Sequence, residues 1–412
     1  RAEAARHYRR ALHIQRRLNA TAEVASTLSN LGGVMAITGR LSRSARLMHL
    51  SLNLKRTLGD LGEIAGTLNN LGYLNFLLGR KDDAIRDLEE SLDLHRRIGR
   101  RQEILFNLDN LAAVTISDGR LRESLSYLRE GSLVCREIGA KPHQVIFSRN
   151  TSIVLRRMGR LGPAAEQHRL AEQLIAAVDD REEEIRLKVN AASIRAALGD
   201  THTALNLARA AVDLAVILEC KPEELNALLL VTRLDNNEAE MTEALSLTEQ
   251  LGLSRERLLI EVNRIEHAIR SGAADIVSAT LPDNVARVLD LKSDLELPRL
   301  LLILAQGYEL IDRPTESRPL AQRALTLAEK SGLAPEKIHA LSLRCAHLIA
   351  DRDYESAFAA GRQALALLKE VTESIPDSAD RTLFQQTPVV QALVAQIKAL
   401  QARFGQKKGA GI

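Results

Sequence analysis

Asparagine recurs at a fixed interval of 40 residues in the first half of the sequence. The column consists of Asn30, Asn70, Asn110, Asn150 and Asn190, and Asn69 stands beside its second member. An asparagine side chain offers both donor and acceptor groups, so it can pair with a backbone N–H and a backbone carbonyl together. A second interpretation stays open, in which each asparagine ties its helix to a neighbour through a buried hydrogen bond.

A further candidate set combines aromatic and basic side chains. Tyr73 and Phe76 lie three residues apart and Phe106 lies in the next repeat, so the three could form an apolar pocket between adjacent repeats. The basic members are Arg149, Arg156, Arg157 and Arg186. A protein or peptide with an apolar anchor and nearby acidic groups would suit both sets. The alternative is that the aromatic rings belong to the core and the arginines to a solvated face.

Motifs of catalysis are absent from the sequence. It contains no GxxxxGK[ST], GxGxxG, HExxH or GxSxG pattern. The three cysteines, Cys135, Cys220 and Cys345, are far apart and form no CxxC pair, so neither a disulfide framework nor a metal site is indicated. We therefore predict no enzymatic activity, no metal and no cofactor.

The elements that position these residues follow from the same interval. Small residues occur five positions after each glycine of a column formed by Gly39, Gly79, Gly119, Gly159 and Gly199. Between these glycines, apolar residues such as Ile64, Leu68 and Leu71 recur at three- and four-residue steps, which is the spacing of one helix face. Because glycine commonly ends a helix, each unit is predicted to be a helical hairpin, with helices near 61–78 and 81–98 in the second unit. The fold class is therefore all-α.

The second unit resembles the tetratricopeptide repeat at the positions Asn70, Leu71, Gly72, Gly79, Ala84, Leu88 and Ser91. Its length and the run Asn69 to Gly72 are similar to the subtype of kinesin light chains and bacterial signalling proteins. It departs from the family in having Leu68 where a large aromatic is expected and in lacking the consensus proline. The resemblance implies a right-handed superhelical solenoid in which the first helix of each repeat lines a concave, peptide-binding groove. The asparagine column and its neighbours would then face the ligand.

The repeat pattern divides the sequence into five segments. Residues 1–220 carry regular units, of which the first is truncated to its second helix, and residues 221–293 carry shorter, irregular hairpins with a kink or break expected at Pro282. Residues 294–371 carry two further units. Residues 372–404 are predicted to be a linker and a capping helix, and residues 405–412 a disordered tail. Because the sequence starts inside a repeat, we expect a fragment of a longer regulatory protein.

Composition supports the same class. The protein of 412 residues is 45% hydrophobic, contains no tryptophan and carries a formal net charge of only +3. That charge is too small to argue for nucleic acid or an anionic membrane, and no apolar run approaches the length of a membrane span. We expect a cytoplasmic protein without nucleic-acid or membrane partners.

Two function classes follow. The first is a protein–protein interaction scaffold that binds a peptide or partner domain, as the repeat region of a bacterial signalling protein with attached domains outside this sequence. The second is a sensor of a small ligand or signalling peptide that changes its superhelical shape to control an effector domain. The irregular stretch near residues 236–290 would serve as the hinge of such a sensor.

Overall fold

The fold is an all-α array of helix hairpins, as the sequence predicts. The computed structural model describes residues 1–291 and 294–409, which form helices joined by short turns, with no strand among them. Within this described part of the protein, no helix has the length and apolar character needed to span a membrane. The structure divides into two compact units, Arg1–His143 (unit 1) and Gln144–Ile412 (unit 2).

Unit 1 contains seven helices and the beginning of an eighth, and from the first to the seventh each helix packs against the next. The bounds are α1 Ala2–Arg17, α2 Thr21–Ile37, α3 Leu41–Leu58, α4 Leu61–Leu77, α5 Lys81–Arg97, α6 Arg101–Ser117 and α7 Leu121–Ile138. The even-numbered helices are the first helices of their repeats. The turn between α4 and α5 contains Gly79 with a φ of 74°, a left-handed conformation that glycine adopts most easily.

Small residues let the two helices of a repeat approach closely. At Gly72 in α4, an added Cβ would lie 2.6 Å from Leu88 Cγ and 3.1 Å from the carbonyl oxygen of Ala84, both in α5. Ser91 Oγ in α5 also donates a hydrogen bond of 2.7 Å to the carbonyl oxygen of Ala65 in α4. One repeat earlier, Ser51 Oγ makes the same bond to Ala25 at 2.7 Å. The small-residue columns of the sequence therefore mark the contact surface within each hairpin.

Unit 2 continues the array from within α8, Lys141–Arg157. Its further helices are α9 Leu161–Ile175, α10 Arg181–Leu198, α11 Thr201–Ile217, α12 Lys221–Leu234, α13 Glu238–Leu251, α14 Ser254–Ser271, α15 Ala274–Leu289, α16 Leu297–Leu310, α17 Pro314–Ser331, α18 Ala334–Ala350, α19 Tyr354–Glu373, α20 Ser378–Gln385 and α21 Pro388–Gly409.

Unit 2 can be compared with the segments expected from the sequence. Helices α12 and α13, in the segment expected to be short, have 14 residues each, and α15 continues through Pro282, so the helix has no break there. Helix α21 extends to Gly409, so it includes residues 405–409 of the predicted disordered tail. The rest of that tail, residues 410–412, and the end of the irregular segment, residues 292–293, lie outside the described residues.

The C-terminal part of unit 2 packs back on its first repeats. The backbone N–H of Leu161 donates to Ser374 Oγ at 3.1 Å, and an added Cβ at Gly162 would lie 1.9 Å from the carbonyl oxygen of Ser374. Farther along, Arg195 Nη1 in α10 lies 3.0 Å from Asp380 Oδ1 in α20. These contacts join residues about 200 positions apart, so unit 2 closes on itself. The predicted capping segment thus contacts α9 and α10 as well as its neighbours.

The close approach at Gly72 should make that position intolerant of any side chain. We expect Gly72→Ala to lower the free energy of unfolding by about 1–3 kcal/mol, because the methyl group must displace Leu88 or the backbone. Gly66→Ala is the matched control in the same helix, since an added Cβ there meets no atom within 4 Å. It should be neutral or stabilise by about 0.5–1 kcal/mol. Urea denaturation followed by circular dichroism measures both, and equal effects would contradict this packing.

Gly162→Ala should open the closure of unit 2, because its Cβ would overlap the carbonyl oxygen of Ser374. Hydrogen–deuterium exchange of α20 is then expected to speed up by about tenfold or more. Gly33→Ala, where an added Cβ also meets no atom within 4 Å, should leave α20 unchanged. An unaltered exchange rate in Gly162→Ala would show that the contact does not hold the C-terminal segment.

Candidate ligand-binding groove

A polar groove of about 490 Å³ lies within unit 1. Its lining comes mainly from the first helices of three successive repeats, together with one residue each from α3 and α5. The residues that line it are Ser26, Ser29, Asn30, Lys55, Gly62, Glu63, Gly66, Thr67, Asn69, Asn70, His95, Arg100, Glu103 and Phe106. Gly62 and Gly66 contribute no side chain to the part of the lining that α4 forms.

Two members of the asparagine column are open to this groove. Asn30 and Asn70 stand at equivalent positions of α2 and α4, and both are exposed. Their carboxamides make no hydrogen bond with other described residues. Each therefore presents a free donor and a free acceptor, one repeat apart in the sequence.

Asn69 and Asn110 belong instead to a buried polar network. Asn69 Oδ1 accepts from Asn107 Nδ2 and from Asn110 Nδ2, both at 3.0 Å. Asn107 Nδ2 also donates to Ser91 Oγ at 2.9 Å. The network joins α4, α5 and α6 across two repeats, which is the structural role that the sequence left open.

The same network determines which ring nitrogen of His95 carries the hydrogen. Because Asn107 uses its amide nitrogen for Ser91 and Asn69, its Oδ1 atom faces His95 Nδ1 at 2.6 Å. An oxygen acceptor requires a proton on the nitrogen, so His95 carries its hydrogen on Nδ1. The amide nitrogen of Asn69 has no partner among the described residues, and Asn69 lines the groove. The network thus aims a donor at the groove while satisfying its own buried groups.

Charged groups in the groove are paired within the protein. Lys55 is buried, and its Nζ atom lies 2.7 Å from Glu63 Oε2 and 2.8 Å from Thr67 Oγ1. At the other side, Arg100 Nη1 lies 3.3 Å from Glu103 Oε1. The groove therefore carries charges of both signs in ion pairs. The side chains of Asn30 and Asn70, in contrast, have no hydrogen-bond partner among the described residues.

The predicted aromatic cluster is divided in the structure. Phe106 lines the groove, is 48% exposed, and makes an edge-on contact with the ring of His143, with centroids 5.2 Å apart. Tyr73 and Phe76 lie 6.4 Å apart by ring centroids. They are not among the residues that line the groove. Phe106 is thus the aromatic side group available beside Asn30 and Asn70.

The later members of the asparagine column are buried in unit 2. Asn190 Nδ2 in α10 donates to Ser152 Oγ in α8 at 3.0 Å, so this carboxamide connects two helices. Asn150 Oδ1 accepts from Arg149 Nη1 at 2.8 Å within α8. Both carboxamides therefore have partners inside the protein.

The predicted arginines fall into two groups within unit 2. Arg149 pairs with the buried carboxylate of Glu183, and Arg186 lies 2.8 Å from Glu223 and 3.3 Å from Glu183. Arg156 and Arg157 line a separate cavity. The aromatic residues lie in unit 1 and the arginines in unit 2, so each set belongs to its own unit. Their predicted role as a combined ligand site stays a prediction.

Sequence reasoning missed three residues of the groove network: Asn107, His95 and Lys55. A signal was present, because Lys55 and His95 stand 40 residues apart at a position where later repeats carry Cys135, Ile175 and Ala215. A polar residue that interrupts an apolar column calls for a partner. In the described residues, no group of three His, Cys, Asp or Glu residues could hold a metal ion.

Comparison with known proteins defines the class. Residues 63–132, which cover most of α4, all of α5 and α6 and part of α7, match the family model for the tetratricopeptide repeat. The chain thus contains tetratricopeptide repeats, as its columns predict. None of the curated proteins matches its sequence.

Solved structures show the same fold at low sequence identity. A Rap protein complexed with Competence and Sporulation Factor is 12% identical, with a TM-score of 0.52 over 81% of this chain and 99% of that chain. The apo form of RapI is 12% identical, with a TM-score of 0.50 over 73% of this chain and 99% of that chain. Aspartyl phosphate phosphatase F from Bacillus subtilis is 8% identical, with a TM-score of 0.53 over 79% of this chain and 93% of that chain.

The division of the asparagines predicts unequal effects on stability. Asn107→Ala should lower the free energy of unfolding by about 1–3 kcal/mol, because it leaves the buried ring of His95 without its partner and removes one of the two donors to Asn69. Asn70→Ala should change it by less than about 0.5 kcal/mol, because Asn70 is exposed. Urea denaturation of the two variants measures the difference. A large loss for Asn70→Ala would mean that this carboxamide is structural.

Proposed function

We propose that this is a binding protein that holds an extended polypeptide segment in the groove of unit 1. The observation that carries the proposal is the pair of open carboxamides at Asn30 and Asn70, which line one groove and have no partner among the described residues. An extended backbone presents N–H and carbonyl groups that an asparagine can pair with together. The free amide nitrogen of Asn69 adds a third contact point.

The charged groups of the groove already have partners within the protein, which favours an uncharged peptide backbone as the ligand. Lys55 with Glu63 and Arg100 with Glu103 are compensated, so the groove does not select strongly for charge. Phe106, about half exposed at the edge, would receive an apolar side group of the bound segment. The ligand we propose is therefore a peptide or protein segment with an apolar anchor.

The fold is compatible with this function. The Rap protein of similar fold was crystallised in complex with Competence and Sporulation Factor, so an array of this kind can hold a bound factor. One neighbour is named a phosphatase, but function depends on sites rather than on fold. We propose that this protein acts by binding a protein or peptide partner. We also propose that the chain is the binding region of a longer regulatory protein.

A peptide array tests the groove directly. The double variant Asn30→Ala, Asn70→Ala should capture fewer peptides than the wild type. Its affinity for the peptides that the wild type captures should fall by at least about tenfold, because two bidentate contacts are removed. Asn53→Ala is the matched control, since Asn53 is exposed on α3 and does not line the groove. It should capture the same peptides as the wild type.

Thermal melting of all variants must accompany the array, so that lost binding is not lost folding. Unchanged capture by the folded double variant would refute the proposed role of the carboxamides. Equal loss in the double variant and in Asn53→Ala would show that capture is nonspecific.

A further inference from the structure

A second cavity, of about 270 Å³, lies inside the closed part of unit 2. Many of its lining residues are apolar, among them Leu302, Ile338, Val371, Phe384 and Val390. Phe384 and Val390 belong to the C-terminal helices that pack back on the first repeats of the unit. The lining also contains basic side chains, Arg156 and Arg157 from α8, Arg233 from α12 and Arg299 from α16. The cavity is thus amphipathic and enclosed by the packing of unit 2 on itself.

The guanidinium groups of two of these arginines, Arg156 and Arg233, make no hydrogen bond or close ion pair with any described residue, although the charges of Glu336 and Glu266 act on them from a distance. The Nε atom of Arg156 is inaccessible to solvent. Arg157, in contrast, contacts Glu296 and lies 3.7 Å from Glu336. A buried guanidinium without an acceptor is costly unless a bound group supplies one.

The cavity lining also holds two carboxylates. Glu266 lies 3.1 Å from Arg299, and Glu336 lies 3.7 Å from Arg157, while Glu336 Oε2 has no hydrogen-bond partner among the described residues. Burial alone would raise the pKa of Glu266, but the charges of Arg299, Arg270 and Arg233 hold it below its usual value. Burial lowers the pKa of His339, so this ring is neutral at pH 7. The lining thus places four arginines against two carboxylates, which leaves an excess of positive charge.

Electrostatics within the cavity favour an incoming anion. Burial, followed by the nearby charge of Arg233, lowers the pKa of Arg156 to about 10. Burial and the charge of Arg299 lower the pKa of Arg233 to about 9. Both groups remain charged at pH 7, although their surroundings disfavour the charge. An anion would relieve this repulsion and restore ordinary pKa values.

We propose that this cavity binds an organic anion with an apolar body, whose carboxylate or phosphate meets Arg156 and Arg233. The planar fork of guanidinium matches both anions with paired hydrogen bonds. The apolar residues of the lining would receive the body of the ligand. All the residues involved lie in unit 2, so the proposal does not depend on the peptide groove.

Small probes test binding to the protein of 412 residues. Benzoate and phenyl phosphate carry the two candidate anions on the same apolar ring, benzamide is the neutral control, and inorganic phosphate lacks the apolar body. We expect one or both aromatic anions to raise the melting temperature and to give a dissociation constant by calorimetry. Benzamide and inorganic phosphate should bind at least about tenfold more weakly. The stronger of the two anions identifies the head group.

Substitution then assigns the site. Arg156→Met and Arg233→Met should each weaken binding by about ten- to a hundredfold, because a charge-assisted hydrogen bond is lost. The unliganded Arg156→Met protein should melt no lower than the wild type, because the charge it removes is disfavoured in the folded state. The control is Arg323→Met, at an exposed position of α17 that does not line the cavity; it should bind like the wild type.

If a methionine variant fails to fold, the wild-type protein and the conservative variant Arg233→Lys decide the matter. With isotope-labelled arginine, addition of the tighter probe should shift the Nε–H resonances of only a few arginines, and Arg233→Lys should remove one of them. The proposal is overturned if neither aromatic anion binds at millimolar concentration. It is equally overturned if binding survives in folded Arg156→Met and Arg233→Met proteins.

Discussion

The structure depends on how closely the two helices of each repeat approach. At Gly72 the backbone of α4 lies against Ala84 and Leu88 of α5, with no room for a side chain between them. Serines on the same surfaces donate to backbone carbonyl oxygens of the partner helix, which holds the hairpin at that distance. Because each repeat packs on its neighbours, the distance between the helices of one hairpin affects the position of the next hairpin. The groove of unit 1 exists because successive first helices are held in this regular array.

The repeat columns predicted the helices well, because turns and close contacts are local and leave a period in the sequence. The helices expected near 61–78 and 81–98 are α4, Leu61–Leu77, and α5, Lys81–Arg97. The closure of unit 2 could not be predicted, because the contact of Leu161 with Ser374 joins distant residues and leaves no period. Turns in the left-handed conformation that lack glycine could not be predicted either; Glu219, for example, has a φ of 53°.

The role of the asparagines could be predicted only in part. The column showed which positions are polar, but a shared position does not imply a shared environment. Asn30 and Asn70 are exposed, whereas Asn190 is buried and bonded to Ser152. The arginines divide in the same way, since the guanidinium of Arg149 donates to the buried carboxylate of Glu183, whereas that of Arg156 makes no hydrogen bond to a described residue. For Asn190 and Arg149 the partner comes from another helix, and its identity depends on three-dimensional packing. Groups with partners hold the fold together, and groups without partners mark the candidate sites.

Open carboxamides are proposed to bind a ligand, while buried carboxamides support the fold. The most direct measurement of this division is the side-chain amide spectrum of the asparagines, recorded by nuclear magnetic resonance with and without a captured peptide. We expect the resonances of Asn30, Asn69 and Asn70 to shift, and those of Asn107 and Asn190 to stay in place. Shifts confined to other asparagines, or spread equally over exposed and buried ones, would contradict the division.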